Sequence, residues 1–142
     1  MHTMSAETVR DAMVPEPTTL AATATAQEAG RSFADSGEVR AIFVTEDDGR
    51  LLGVVTRKTL VREVIAHGLD PRTTELGAIA ETPDFTIGPD VPLEEAFRFL
   101  EAEDAERVPV VDDEHRLIGV LSRSVLQRRL AEDEDEPLPP AA

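Results

Sequence analysis

Cysteine is absent from the 142 residues, which excludes disulfides, thiolate metal sites and cysteine nucleophiles in one step. Long apolar runs are absent too, since nothing approaches the roughly 20 residues of a membrane span. The opening Met1-His2-Thr3-Met4-Ser5-Ala6-Glu7 has neither the basic nor the apolar region of a secretory signal. The expectation is a cytoplasmic chain with no membrane partner. Positive charge is scarce, with 14 Lys and Arg against 29 Asp and Glu and a formal net charge of −15. That field repels nucleic-acid phosphates and anionic lipid, so no nucleic acid polymer is expected as a partner. The acids concentrate in Glu132-Asp133-Glu134-Asp135-Glu136, ahead of Pro137, Pro139 and Pro140. Residues 132–142 therefore read as a disordered acidic, proline-rich tail, with too little apolar surface to offset the entropy of ordering it. The length suits one compact domain or two small repeats sharing a core, and not a catalytic domain with a regulatory one attached.

What is present is a repeat. Leu51-Leu52-Gly53-Val54-Val55-Thr56-Arg57 returns as Leu117-Ile118-Gly119-Val120-Leu121-Ser122-Arg123, 66 positions later. The same offset pairs Leu60 with Leu126 and, upstream, Thr8 with Thr74, Ala12 with Ala78, Met13 with Ile79 and Pro17 with Pro83. Between these anchors an offset of 67 pairs Ala29 with Ala96, Arg40 with Arg107 and Val44 with Val111. One residue gained in one loop and lost in another accounts for the change, because loops absorb length while elements keep register.

Each copy has the same element order. Residues 8–13 suggest one or two helical turns with Thr8 as N-cap. Residues 18–22 are weakly β-like, whereas their partner 84–87 alternates more clearly. Ala26, Ala29, Gly30, Phe33 and Ala34 form one helical face, opened by the capping-box pair Thr25 and Glu28. Leu93, Ala96, Phe97 and Leu100 form the equivalent face, with Pro92 at its start. Two strands, 39–45 and 50–56, flank the acidic turn Glu46-Asp47-Asp48-Gly49, and their copies are 108–112 and 116–122. Pro109 has no N–H to donate, so it belongs near a strand start or on an edge. A last helix carries Leu60, Val61, Val64 and Ile65 and closes at Gly68, echoed by Val125, Leu126 and Leu130. The fold class is α/β: two β-α-β-β-α units, 8–68 and 74–131, joined by a linker at 69–73 and packed face to face over a shared core.

In this order the chain resembles a tandem pair of CBS domains, the cystathionine β-synthase-like repeats of a Bateman module. The resemblance rests on Val9-Arg10-Asp11-Ala12-Met13, Pro17, the helices of Ala29 and Ala96, Arg107-Val108-Pro109-Val110-Val111-Asp112, Gly49 through Thr56, and Arg116 through Ser122. It spans roughly residues 8 to 131. It implies a regulatory module and not an enzyme, with the units about a pseudo-two-fold axis and two clefts between them; the length and the tail suggest a stand-alone module. Such clefts take adenosine-containing regulatory ligands, AMP, ADP, ATP or S-adenosylmethionine, with no cofactor required. It also implies a homodimer and a regulated partner protein whose identity the sequence does not carry.

The family's ligand motif is glycine, two apolar residues, Thr or Ser, two variable residues, then Asp. Its hydroxyl meets phosphate and its carboxylate meets the ribose hydroxyls. Here the Asp position holds Thr59 in the first copy and Val125 in the second. Thr59 retains one polar partner. Val125 offers none, and ribose hydroxyls buried against it would be left unpaired at a cost of about 1–3 kcal/mol. The seat beside Val125 is therefore expected not to hold an ordinary adenosine nucleotide tightly.

The remaining binding candidates are Arg40, Thr56, Arg57, Lys58, Arg107, Ser122 and Arg123. Each carries an alternative: N-capping for Thr56 and Ser122, and solvated or ion-paired surface charge for the basic residues. Phe43, Phe85 and Ile87 read as base contacts or as core. Phe99 reads as a dimer contact or as the margin of its helix's core face. His2, His67 and His115 share no metal or catalytic spacing, and no nucleophile–base pair or phosphate-binding glycine loop is visible, so neither metal ligands nor catalytic residues are expected. Beside the nucleotide-sensing reading stands a second, a ligand-free dimeric interaction scaffold, which the missing carboxylates favour.

Overall fold

Reciprocal hydrogen bonds at helix starts set the local structure. A computed structural model describes residues 7–15 and 17–134. Helix α1 (Val9–Ala12) opens where the Thr8 amide donates to Asp11 Oδ2 at 2.8 Å. Helix α2 (Ala26–Asp35) opens with a capping box, Thr25 N to Glu28 Oε2 at 2.7 Å and Glu28 N to Thr25 Oγ1 at 3.2 Å. Its apolar stripe, Ala26, Ala29 and Phe33, is buried. Strands β1 (Val14–Pro15) and β2 (Thr19–Ala21) precede α2 in the chain, and β3 (Ile42–Thr45) and β4 (Leu51–Val55) follow it. Helix α3 (Arg57–Leu60) runs on into one π-helical turn, Val61–Ile65. The second copy comprises α4 (Leu76–Ile79), α5 (Leu93–Ala102), β5 (Arg107–Val111), β6 (Leu117–Ser122) and α6 (Arg123–Glu134). The tail expected at 132–142 lies outside the described residues from 135 onward, as do residues 1–6, His2 among them.

The strands form two three-stranded sheets, β2-β3-β4 and β1-β6-β5. The second order carries the main result of the fold: β1, from the first repeat, pairs antiparallel with β6 of the second, Val14 opposite Val120. Its counterpart makes the reverse crossing, with Val54 and Glu81 exchanging amide bonds of 2.9 Å in each direction. Each repeat thus lends its first segment to the other repeat's sheet. One lobe combines residues 19–65 with 74–81, and its core includes Phe33, Ile42, Val55, Leu76 and Ile79. The other combines 8–15 with 85–134, around Val9, Leu100, Val108, Leu121 and Leu126, with Phe85 packed against them. Phe43, Leu51 and Val111 form a third cluster where the lobes meet.

The crossing explains the glycine in each duplicated run. A Cβ on Gly53 would lie 2.8 Å from the Glu81 carbonyl oxygen and 2.9 Å from Ala80 Cβ. A Cβ on Gly119 would lie 2.7 Å from Met13 Sδ and 3.0 Å from the Val14 oxygen. The lent segment therefore passes where a side chain would stand.

Paired bonds mark the pseudo-two-fold axis. Leu51 N donates to His115 O at 3.0 Å, and Leu117 N donates to Gly49 O at 3.1 Å. Leu76 N reaches Ala24 O at 2.8 Å, and Val9 N reaches Val91 O at 2.9 Å. These bonds also correct the alignment of the copies. Val14 matches Glu81 and Thr25 matches Pro92, an offset of 67, while Ile42 matches Val108 and Gly53 matches Gly119, an offset of 66. The length changes once, between helix and strand, and the upstream pairs Thr8 with Thr74, Ala12 with Ala78 and Met13 with Ile79 are one residue out.

The strand expectation for 84–87 also changes. Residues 19–21 form the three-residue strand, whereas 84–87 keeps a single parallel bridge, Ile87 to Val110. Two prolines account for this. In the first lobe Phe43 N donates to Thr18 O and Ala22 N to Thr45 O. The equivalent donors are Pro109 and Pro89, which have none. Pro109 lies in β5, the outer strand of its sheet.

Candidate ligand cleft

Strand β4 ends at Thr56, which caps α3 in exchange with Thr59. Thr56 N donates to Thr59 Oγ1 at 3.0 Å, and Thr59 N donates to Thr56 Oγ1 at 3.2 Å. Thr59 is fully buried, and its one hydroxyl hydrogen goes to Glu81 Oε2 at 2.6 Å. The 3.0 Å contact between the two threonine hydroxyls must then run from Thr56 to Thr59. The other Glu81 oxygen takes Arg62 Nη2 at 2.6 Å. Glu81 stands here because the lent segment crosses β4 over Gly53. The Thr59 hydrogen bond holds its carboxyl below the usual glutamate range against a burial effect, helped by the charges of Arg62 and Lys58.

The second helix start is arranged around a different carboxylate. Glu106 Oε2 accepts from Ser122 Oγ at 3.1 Å, Ser124 Oγ at 3.0 Å and Ser124 N at 3.4 Å. Ser122 Oγ also caps Val125 N at 3.4 Å. A carboxylate thus sits on the positive end of the 12-residue α6. Burial works to raise its pKa, but the Ser124 side-chain and backbone hydrogen bonds, Ser122 and the Arg123 charge together hold it below the usual range. Arg123 is spread over this corner, Nη1 3.5 Å from Asp104 and Nε 3.9 Å from Glu106.

Between the lobes, on the face where Glu81 and Glu106 emerge, lies a cleft of about 650 Å³. Phe43 and Val54 from one lobe and Phe85 and Pro109 from the other give it apolar walls. Among the described residues that line it, Glu81, Asp84, Glu103, Asp104 and Glu106 are acidic and Arg107 is basic.

The other sequence candidates are distributed around it. Arg57 is engaged away from the cleft: Nη1 donates to Val39 O at 2.8 Å and Nη2 to Phe33 O at 3.0 Å, with the guanidinium 4.8 Å from the Phe33 ring centroid. Through Phe33 O and Ser36 O at 3.3 Å it closes the C-terminal end of α2, whose last carbonyls have no partner within the helix. Lys58 and Arg40 are exposed. Arg107 lies opposite Ser122 in the β5–β6 pair, and Ile42 opposite Val55, so the counterpart of Arg40 is Glu106 and not Arg107. Phe43 and Ile87 are buried. Phe85 meets Phe99 edge-on at 5.0 Å, and Phe99 packs on the second core, which makes it the margin of that core. The acidic turns bind themselves, Asp112 Oδ1 accepting from Glu114 N and Arg116 N at 2.9 Å each.

Sequence reasoning missed Glu81 and Glu106. The signal for Glu81 was an acid in a crossing segment where the first copy has Val14. For Glu106 it was a reversal of charge against Arg40, hidden by the one-residue error in pairing.

The family model described as CBS domain matches residues 9–66 and again 76–132. Hypoxic response protein 1 of Mycobacterium tuberculosis is 32% identical over 95 residues, which cover 67% of this chain and 66% of that protein, just under two thirds of its length. The crystal structure of Hypoxic Response Protein I with two coordinated zinc ions superposes with a TM-score of 0.74 at 28% identity, covering 87% of this chain and 98% of that one. The cytosolic domain of the Mg2+ channel MgtE in complex with ATP has a TM-score of 0.66 at 26% identity, covering 82% of this chain and 46% of that one. The sequence has no cysteine, and among the described residues no group of three or more His, Asp or Glu is placed to hold a metal ion. No helix among the described residues is long and apolar enough to cross a membrane.

Proposed function

Because the chain belongs to the CBS domain family, as a tandem pair of repeats, we propose that it is a regulatory module that takes an adenosine-containing small molecule in the cleft between its lobes. On this reading it is cytoplasmic, has no catalytic residues, and passes the binding signal to a partner protein as a homodimer. The observation that carries the proposal is the origin of the cleft walls. Phe43 and Val54 come from one lobe, Phe85 and Pro109 from the other, and Glu81 from the crossing segment between them. A ligand held by both lobes binds some relative arrangements of them better than others, which is the requirement for a signal. Apolar walls suit a purine ring, and fixed carboxylates suit ribose hydroxyls, which need acceptors. The ATP bound by the MgtE domain supports the adenosine part of the reading.

A thermal-shift panel of adenosine, AMP, ADP, ATP and S-adenosylmethionine tests it. A rise in melting temperature with at least one of them is expected, because a ligand that binds only the folded state stabilises it by mass action. A flat response across the panel favours the scaffold reading. That reading has its own observation: Val61, Ile65 and Leu69 are 55, 70 and 45% exposed, an apolar surface suited to a protein partner.

A further inference from the structure

We infer that Glu81 and Glu106 are specificity-determining residues, and that the cleft selects adenosine compounds that carry no phosphate, nucleosides and cationic nucleosides, over nucleotides. The inference rests on the reading of the cleft as an adenosine site and says which adenosine compounds enter. Three observations lead to it. At the start of α6, the groups suited to receive a phosphate are the Ser122 and Ser124 hydroxyls and the Ser124 amide, and all three are already directed at one oxygen of Glu106. A phosphate would have to displace that carboxylate while losing the hydrogen bonds it makes. At the start of α3, Thr56 and Thr59 cap each other, and the remaining Thr59 hydrogen is held by Glu81 at 2.6 Å. No hydroxyl donor is left there for a second anion.

The third observation is the charge of the walls. Five carboxylates and one arginine line the cleft among the described residues, in a chain of net charge −15. Of the other basic residues nearby, Arg57 is committed to the Val39 and Phe33 carbonyls, Arg62 is paired with Glu81, Arg123 lies against Asp104 and Glu106, and Lys58 is exposed, its charge already acting on Glu81. A phosphate dianion entering between those carboxylates is repelled at short range in a partly desolvated space. A neutral ribose gains acceptors from them, and a sulfonium or ammonium group gains attraction. The two carboxylates arrive from unrelated positions, Glu81 in the crossing segment and Glu106 before β5, so the pseudo-symmetric seats are filled by separate means.

Isothermal titration of adenosine and of AMP into wild type, Glu81→Gln and Glu106→Gln tests this. Gln keeps the size and the acceptor oxygen but removes the charge, and far-UV circular dichroism with a urea melt verifies that each variant is folded. The expected result is that wild type binds adenosine at least tenfold more tightly than AMP, and that the adenosine-to-AMP affinity ratio falls at least tenfold in Glu106→Gln. AMP bound by wild type as tightly as adenosine overturns the inference, as does a ratio unchanged in both variants. Binding of neither compound to any of the three proteins overturns the adenosine reading of the cleft and this inference with it. The first two failures leave adenosine bound, which distinguishes them from the third.

Discussion

The Thr59 hydroxyl donates to Glu81 Oε2 at 2.6 Å, so a residue lent by the second repeat completes the hydrogen bonding of a helix start in the first. Thr59 is fully buried. It accepts from the Thr56 amide and returns its own amide to Thr56. Replacing it with valine keeps the shape and removes both polar roles. Thr59→Val is expected to cost about 1–3 kcal/mol, the price of a buried group left without its partner. Urea unfolding measures this, and an unchanged midpoint would show that the helix start does not depend on the bond.

The two glycines under the crossing segments should respond unequally to added bulk. At Gly53 a methyl group meets backbone, the Glu81 carbonyl at 2.8 Å, which has no freedom to give way. At Gly119 its nearest neighbour is the Met13 sulfur at 2.7 Å, the end of a flexible side chain. Gly53→Ala is expected to destabilise by about 2–3 kcal/mol and Gly119→Ala by about 1 kcal/mol, within the usual range for overpacking. Equal losses in urea titrations would contradict the crossing geometry.

The hairpin turns offer a stabilising substitution. Gly49 holds φ 89° in the first turn, and its counterpart His115 holds φ 66° in the second. A left-handed backbone costs a side-chain residue about 1–2 kcal/mol, while glycine gives back roughly 0.5–1 kcal/mol in unfolded-state entropy. His115→Gly is expected to stabilise by about 0.5 kcal/mol, with a small rise in melting temperature. A fall in differential scanning calorimetry would show that the His115 ring contributes more than its backbone costs.

Acid should weaken the fold in part through Glu81 and Glu106. Both carboxyls sit below the ordinary glutamate value of 4.5 when folded. A lowered folded pKa means that the ionised form stabilises the native state. That contribution is complete above pH 4.5 and is lost as the pH falls through the folded value. Between pH 6 and pH 3.5 the stability of wild type should therefore fall more than that of a Glu81→Gln, Glu106→Gln double variant. Parallel losses in urea melts would place the acid sensitivity elsewhere, with Asp112 and Asp70 as the other lowered groups.

Much of the fold was legible because it repeats. The runs around Gly53 and Gly119, the stripe Ala26, Ala29 and Phe33, and the capping pair Thr25 and Glu28 each declare their local structure through spacing. Periodicity says which face of an element is buried and not against what, so the exchange of Val14 and Glu81 between lobes was hidden. Register was hidden for a related reason. An offset of 66 and one of 67 both align apolar residues near Ala12, and it takes spatial pairings such as the bridges Thr8 to Pro92 and Thr25 to Glu75 to separate them. In 84–87 the alternation was real, but the donors that decide strand pairing belong to residues 89 and 109, both proline. At the two helix starts, Thr56, Thr59 and Ser122 could be named from the motif. Their partners lie 16 and 22 positions away, and a carboxylate at that distance carries no periodic mark.

The most direct test of the whole account is the titration of adenosine into the wild-type chain by calorimetry, read for stoichiometry and accompanied by a thermal melt. One site per chain and a rise in melting temperature that grows with adenosine concentration are the predicted result. No heat and no shift at millimolar adenosine would contradict it.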